Sequence, residues 1–455
     1  MNKIGKIIVS VVVAAAVIGA GLGVHFGYAK TTDELKTYEV ETNGAPLRVA
    51  VISDLQLPDT DDKTTHQYES FEKTLTMLKE KGMDALIIGG DFTNVGGKKA
   101  WGTFKEIYDK VMVDSEQPIP LYILGNHDYW LDYFVKSREI PTPAKMQKRF
   151  TKYTGELPYS HKVINGYHFI CWSSSDGSYD KSYMNEDWIR GELDKAVADA
   201  PDKPIFVITH INALETVYGS DGWGNADITR ILKDYPQVIS ISGHSHFSLI
   251  DERSIWQGEF TAYSTQSLDY IELEEGKFNG SVPKDAYGNS IAETVPGCLY
   301  MEIDSDKVVI NRLEANTGNT LKEPWVIEAP FGSDESLVKY TDGRANSNAS
   351  PVLDENLNAV ISDITDINGN AQKMVTFKAG TDDDFVHSYK LQFLDENRSA
   401  VEFDEIDYEN HIVHYNENGD KIRFDNDDYE KGSPKKLTEV LYFSDFVLGL
   451  DNMSD

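Results

Sequence analysis

Short apolar runs that stop on polar residues punctuate this chain. Val49–Ile52 runs into Ser53-Asp54-Leu55-Gln56, and Ala85–Ile88 into Gly89-Gly90-Asp91. Leu121–Leu124 runs into Gly125-Asn126-His127-Asp128, Ile205–Ile208 into Thr209-His210, and Val238–Ser242 into Gly243-His244-Ser245-His246. A brief apolar run closed by glycine or a polar turn reads as a buried strand. Helical periods lie between them. Phe71, Leu75 and Leu78 share a stripe in Thr64–Lys81, a second helix covers Ala100–Met112, and Asn185–Ala200 turns Trp188, Ile189, Leu193 and Val197 toward a core. Asp227–Asp234 makes a short helix. This alternation predicts an α/β core whose parallel strands are joined by crossover helices. Leu157–Ile164 and Tyr167–Ser174 flank Asn165-Gly166, a hairpin signal. Phe260–Thr265 and Val308–Leu313 alternate and extend the sheets. Tyr129–Thr154 is an irregular insert with Tyr129, Trp130, Tyr133, Lys145, Lys148 and Arg149, read either as a pocket wall or as a packed surface helix. Ala213–Asn225 sets three glycines around Trp223, as a substrate lid or a plain surface loop.

The pattern changes after residue 325. Pro324 and Pro330 bracket a change of character, residues 326–350 read as a linker, and Arg344–Pro351 is rich in Asn and Ser. From Val352 the chain offers short strand-like segments with turn residues between them: Ala359–Ile364, Met374–Lys378, Ser388–Phe393, His411–Tyr415 and Leu441–Leu448. That spacing predicts an all-β sandwich over 351–455. In pattern alone it resembles a fibronectin type III or immunoglobulin-like module. Its partner, a protein or a cell-wall polymer, is not legible. The acidic runs at Asp382–Asp384 and Asp425–Asp428 read as solvated loops before they read as calcium sites.

The N-terminus carries a different signal. Lys3 and Lys6 precede the uncharged apolar run Ile7–Val24. Its length exceeds a usual signal-peptide core and approaches a bilayer span. Residues 1–30 are therefore either a signal peptide, with Gly27 and Ala29 ahead of a cut at Lys30, or an uncleaved transmembrane anchor, which the length favours. Lysines on the near side predict that the remaining chain is exported, either membrane-anchored with its bulk extracellular or secreted. The 455 residues suffice for two or three domains, and 40% hydrophobic content describes a globular chain. A formal net charge of −32 repels nucleic acid over long range and argues against a nuclease that grips duplexes. The two cysteines, Cys171 and Cys298, lie in strand-like runs and read as buried apolar residues before they read as a disulfide.

Five strands that deliver Asp, Asn, Gln and His to one edge supply the mixed oxygen and imidazole donors that divalent cations take. Asp54-Leu55-Gln56, Gly90-Asp91, Gly125-Asn126-His127-Asp128, His210 and Gly243-His244-Ser245-His246, in that order, resemble the motifs of the calcineurin-like metallophosphoesterase superfamily across roughly residues 46–315. The resemblance implies a two-sheet core with flanking helices over a domain bounded here at 31–325. It also implies two divalent ions. One would be held by Asp54, Gln56, Asp91 and His246, the other by Asp91, Asn126, His210 and His244, with Asp91 bridging. The water between them would attack a small-molecule phosphate mono- or diester, with His127 as the acid and Asp128 orienting its ring. Asn126, His127 and Trp223 would face the substrate. Gln56 stands where the family usually has histidine. An amide oxygen is a poorer ligand than imidazole for Zn²⁺ or Fe but accepts Mn²⁺, Mg²⁺ or Ca²⁺, so the implied set is Mn, Fe or Zn with a harder ion tolerated beside Gln56. The alternative is a catalytically weak cell-surface binding protein on the same scaffold.

Overall fold

The structure is a computed structural model. It describes residues 35–130, 142–178, 185–271, 296–332 and 334–345, and a set of short segments beyond Ala349. The chain divides into two compact units. The first takes residues up to Asp269 together with Val295–Ala345, and the second is drawn chiefly from Asn346–Asp455.

In the first unit two sheets lie face to face. One has the order β13-β12-β11-β2-β3-β4: β2 is Leu47–Ile52, β3 Ala85–Ile88, β4 Ile119–Tyr122, β11 Gly297–Ile303, β12 Lys307–Glu314 and β13 Thr320–Glu328. The other has the order β1-β5-β6-β7-β8-β10-β9: β1 is Lys36–Tyr38, β5 Tyr159–Ile164, β6 Tyr167–Trp172, β7 Ile205–Ile208, β8 Val238–Ser242, β9 Ile255–Gln257 and β10 Thr261–Ser264. Strands β2, β3 and β4 are parallel, as are β6, β7, β8 and β10. Alternate residues decide the layers. Val49, Val51, Ile87 and Leu121 meet Phe169, Cys171, Phe206, Ile208 and Ile241 between the sheets. Ala50, Ile52, Leu86 and Ile88 face outward against helices α1 (His66–Lys81) and α2 (Lys98–Met112). On the opposite outer face, Ile170, Trp172, Ile205 and Val207 pack under α4 (Glu186–Asp199) and α5 (Ala226–Leu232). Strands buried on both faces explain why these runs are continuously apolar.

Most sequence expectations fall where they were placed. The hairpin turns on Asn165 and Gly166, both with positive φ, as a two-residue primed turn requires. The insert after His127 resolves in favour of a packed helix where it is described: α3, Pro143–Thr154, buries Met146, Arg149 and Phe150. Both cysteines are free and buried. Two readings shift. The polar lead-in contains β1, an edge strand parallel to β5. Strand β13 runs through the expected boundary at 325 to Glu328, and residues 339–345 stay with this unit through Arg344–Glu252 and Tyr340–Val326 hydrogen bonds. The described strands of the second unit pair antiparallel throughout: Val360–Thr365 with Ala371–Thr376, and Ala371–Thr376 with Leu448–Asp451, among others. The apolar run Ile7–Val24 lies outside the described residues, and among the described residues no helix is long and apolar enough to cross a membrane.

Candidate metal centre

The C-terminal ends of both parallel sets open onto the same place. Asp54 and Gln56 follow β2, Asp91 follows β3, and Asn126 and His127 follow β4. From the facing sheet, His210 follows β7, and His244 and His246 follow β8. Asp54, Asp91 and His246 bring ligand atoms within 4.8 Å of one another, all buried. The Asp54 Oδ1 lies 2.9 Å from His246 Nε2 and 3.9 Å from His210 Nε2. The Asp91 Oδ2 lies 3.2 Å from His210 Nε2 and 3.1 Å from Gln56 Nε2, which donates to it. His210 Nε2 is also 2.9 Å from Asn126 Oδ1. His210 and His244 face each other with ring centres 5.1 Å apart.

The local backbone is unusual in a shared way. Asp54, Gln56, Asp91, His244 and His246 all have φ between +48° and +70°. Such residues cost free energy and cluster where a site over-determines them. The glycines of the motifs are also forced by close approach. A methyl group on Gly90, which has φ +100°, would lie 2.6 Å from His210 Nδ1, and one on Gly243 would lie 2.5 Å from Asp54 Oδ2.

The electrostatics call for a cation. His210 Nδ1 is 2.8 Å from the Gly89 carbonyl, which can only accept, so the ring's fixed proton is there and Nε2 points at oxygens alone. Burial opposes charging this ring, yet the carboxylates of Asp91 and Asp54 prevail and push it up to about 9. The same set holds both carboxylates below their usual range against the opposing effect of burial, chiefly through His246 and His210 for Asp54 and through His210 and His127 for Asp91. Burial, then His210, drives His244 far below the ordinary histidine value, into the neutral form that ligates. Gln56 Oε1 and Asn126 Nδ2 are buried without a hydrogen-bond partner. A divalent ion would take up the Gln56 oxygen, the carboxylates and the imidazole lone pairs, though not the Asn126 Nδ2 group, which is a donor, so these acceptors fit the group that the motifs imply.

His127 sits apart from the ligand atoms. Its backbone N–H donates to Asp91 Oδ1 at 2.8 Å, its Nδ1 is 2.9 Å from the Asn94 carbonyl, and its Nε2 is 4.0 Å from Asp91 Oδ2. Asp128 does not orient this ring, contrary to the sequence expectation. Its carboxylate is turned inward, accepting from Thr93 N and Oγ1 at 3.0 and 2.9 Å and from Gly125 N at 3.1 Å. Burial, then the charge of Asp91, raises it to about 7. Asp128 thus staples the β3 loop to the β4 loop, and the Asn94 carbonyl does the orienting. No side-chain pattern could reveal that acceptor, because every residue has a carbonyl. Trp223 lies beside His244, with ring centres 6.2 Å apart.

Buried oxygen and imidazole donors thus converge where the parallel strands of the two sheets end. Residues 47–248 match the family described as calcineurin-like phosphoesterase, and the chain carries a domain of that family. No curated protein matches the sequence. Solved structures similar to it include purple acid phosphatase PPD1 from yellow lupin (Lupinus luteus) seeds, at 10% identity over 62% of this chain and 53% of that one, with a TM-score of 0.42. The chain therefore spans about half the length of the lupin protein. GAP50, the anchor in the inner membrane complex of Plasmodium, aligns at 15% identity over 66% of this chain and 93% of its own, with a TM-score of 0.39. Vacuolar protein sorting 29 from Cryptosporidium parvum aligns at 12% identity over 62% and 99%, with a TM-score of 0.29.

Proposed function

We propose that this protein is an exported phosphoesterase that hydrolyses small-molecule phosphate mono- or diesters with two divalent ions. Asp54, Gln56, Asp91 and His246 would hold one ion, and Asp91, Asn126, His210 and His244 the other. Held there, such ions supply Lewis-acid stabilisation of the phosphoryl oxygens and a water acidic enough to attack near neutral pH. The observation that carries this reading is the convergence of five strand ends on one buried set of donors around Asp91.

The chain's own residues do the rest. Asp91 Oδ1 is tied to the His127 N–H, which leaves Oδ2 facing His210 and Gln56. With Nδ1–H spent on the Asn94 carbonyl, protonated His127 presents its second proton at Nε2, on the side of Asp91. From there it protonates the leaving oxygen as the phosphorus–oxygen bond breaks, a contribution of roughly 10²–10⁴-fold. Trp130 rests on the ring with centres 3.8 Å apart and limits its rotation.

Export rests on Lys3, Lys6 and the apolar run Ile7–Val24. In this reading residues 351–455 form a β-sandwich domain of their own. Full-length protein supplied with Mn²⁺ should hydrolyse nitrophenyl phosphate or its diester, and chelation should abolish the activity. A full metal screen without turnover of either ester overturns the catalytic reading. Recovery of the chain from the cytosol alone, rather than from membranes or medium, overturns export.

A further inference from the structure

The loop after His210 carries an indole whose position is fixed but whose surface is partly open. Trp223 stacks on Phe247, with rings 17° apart and centres separated by 6.2 Å, and Phe247 is buried. Behind it Tyr218 lies 4.1 Å from Phe247, and the Arg253 guanidinium sits 3.5 Å from the Tyr218 ring centre. Asp251 holds Arg253 in a bidentate pair. The loop itself is pinned. Trp223 N donates to Gly219 O at 3.1 Å, and Gly224 N to Ser220 O at 2.7 Å. Asn225 caps α5 through Asp227 N and Ile228 N. Gly219, at φ +80°, admits no side chain, because a methyl group there would lie 2.3 Å from Phe247 Cε2. This row of rings ends at the candidate ligand His244, 6.2 Å from Trp223. A second partly exposed indole, Trp130, stands against His127.

Burying the indole would stabilise the loop more than leaving it half open, since apolar area removed from water is favourable. A rigid ring with an open face beside a phosphate-binding centre instead suits a flat π-system, which gains from offset stacking. We propose that the phosphoester cleaved here carries a planar aromatic group, an aryl ring or a nucleobase, that stacks on Trp223. This rests on the phosphoesterase reading and names its substrate class.

The test compares AMP, nitrophenyl phosphate and glycerol phosphate as substrates of the wild type, Trp223→Ala and Trp223→Phe. Trp223→Ala should raise KM for the aromatic esters roughly tenfold more than for glycerol phosphate, and Trp223→Phe should restore most of the difference. Loss confined to AMP identifies a nucleobase, and loss on both esters an aryl group in general. An equal change on all three substrates, or none, overturns the proposal. If the wild type cleaves no ester, the phosphoesterase reading falls separately. Stacking is then read from quenching of tryptophan emission by AMP, which should be present in the wild type and absent in Trp223→Ala. Quenching that is absent from the wild type or survives the substitution overturns it.

Discussion

Gly125 offers a stringent test of the centre because it touches no ligand chemistry of its own. A methyl group added there would sit 2.2 Å from Asp91 Oδ1, 2.5 Å from the Asp91 backbone nitrogen and 2.8 Å from its Cγ. Real carbon contacts stay above about 3.0 Å, so the carboxylate must retreat by about 0.8 Å, and the backbone behind it by about 0.5 Å. Oδ1 accepts the His127 N–H at 2.8 Å, so that retreat also loosens His127 from Asp91. A misplacement of this order costs about 10²-fold in rate, while overpacking one methyl costs roughly 1–3 kcal/mol of stability. Gly125→Ala should therefore melt somewhat lower, remain folded, bind Mn²⁺ more weakly in calorimetry and turn over nitrophenyl phosphate about 10²-fold more slowly. Gly102→Ala is the control. It lies within α2 with nothing near its added methyl, and it should stabilise by about 0.5–1 kcal/mol without touching the rate. Wild-type Mn²⁺ affinity and turnover in Gly125→Ala would refute the placement of Asp91.

Three further outcomes follow from other parts of the molecule. Asp91→Asn should lose metal together with rate, whereas His127→Ala should keep its metal, measured by mass spectrometry, and lose roughly 10²–10⁴-fold in turnover; equal metal loss in both would return His127 to the ligand set. Burial, then neighbouring His161, holds His168 below its ordinary 6.5, although Asp199 pulls the other way. The native ring thus refuses a proton that the unfolded chain accepts, so stability is full above pH 6.5 and falls as pH drops below it. His168→Gln should flatten the melting temperature between pH 5 and 7, and a wild-type curve already flat there contradicts this, with Glu192, Lys195 and Lys203 as the other charges nearby. Cys171 and Cys298 are buried free thiols pushed up to about 12; a thiol reagent should find none in native protein and two after denaturation, and a melting temperature that shifts with reductant would speak against free thiols.

Much of the fold was legible because strands buried on both faces leave unbroken apolar runs, and because Asn165-Gly166 can hardly be anything but a primed turn. Strand β1 was hidden because Lys36-Thr37-Tyr38 is an exposed edge whose register comes from β5 rather than from its own pattern. The alternation of buried Trp325 and Ile327 in β13 was masked by Pro324. At the centre, the residues were readable from the chain while their roles were less so. Asp128 follows His127 in sequence, yet its carboxylate answers the backbone of residues 92–93 and 125, contacts set by two loops meeting in space. The left-handed backbone at Asp54, Gln56, Asp91, His244 and His246 is likewise a product of tertiary closure, since none of these residue types demands it.

Calorimetric titration of Mn²⁺ into metal-stripped protein tests the central claim most directly. Two sites per chain are expected, with the weaker one at Gln56 and strengthened toward Zn²⁺ in Gln56→His. A flat titration, or binding unchanged by Asp91→Asn, would contradict a metal centre built on these strand ends.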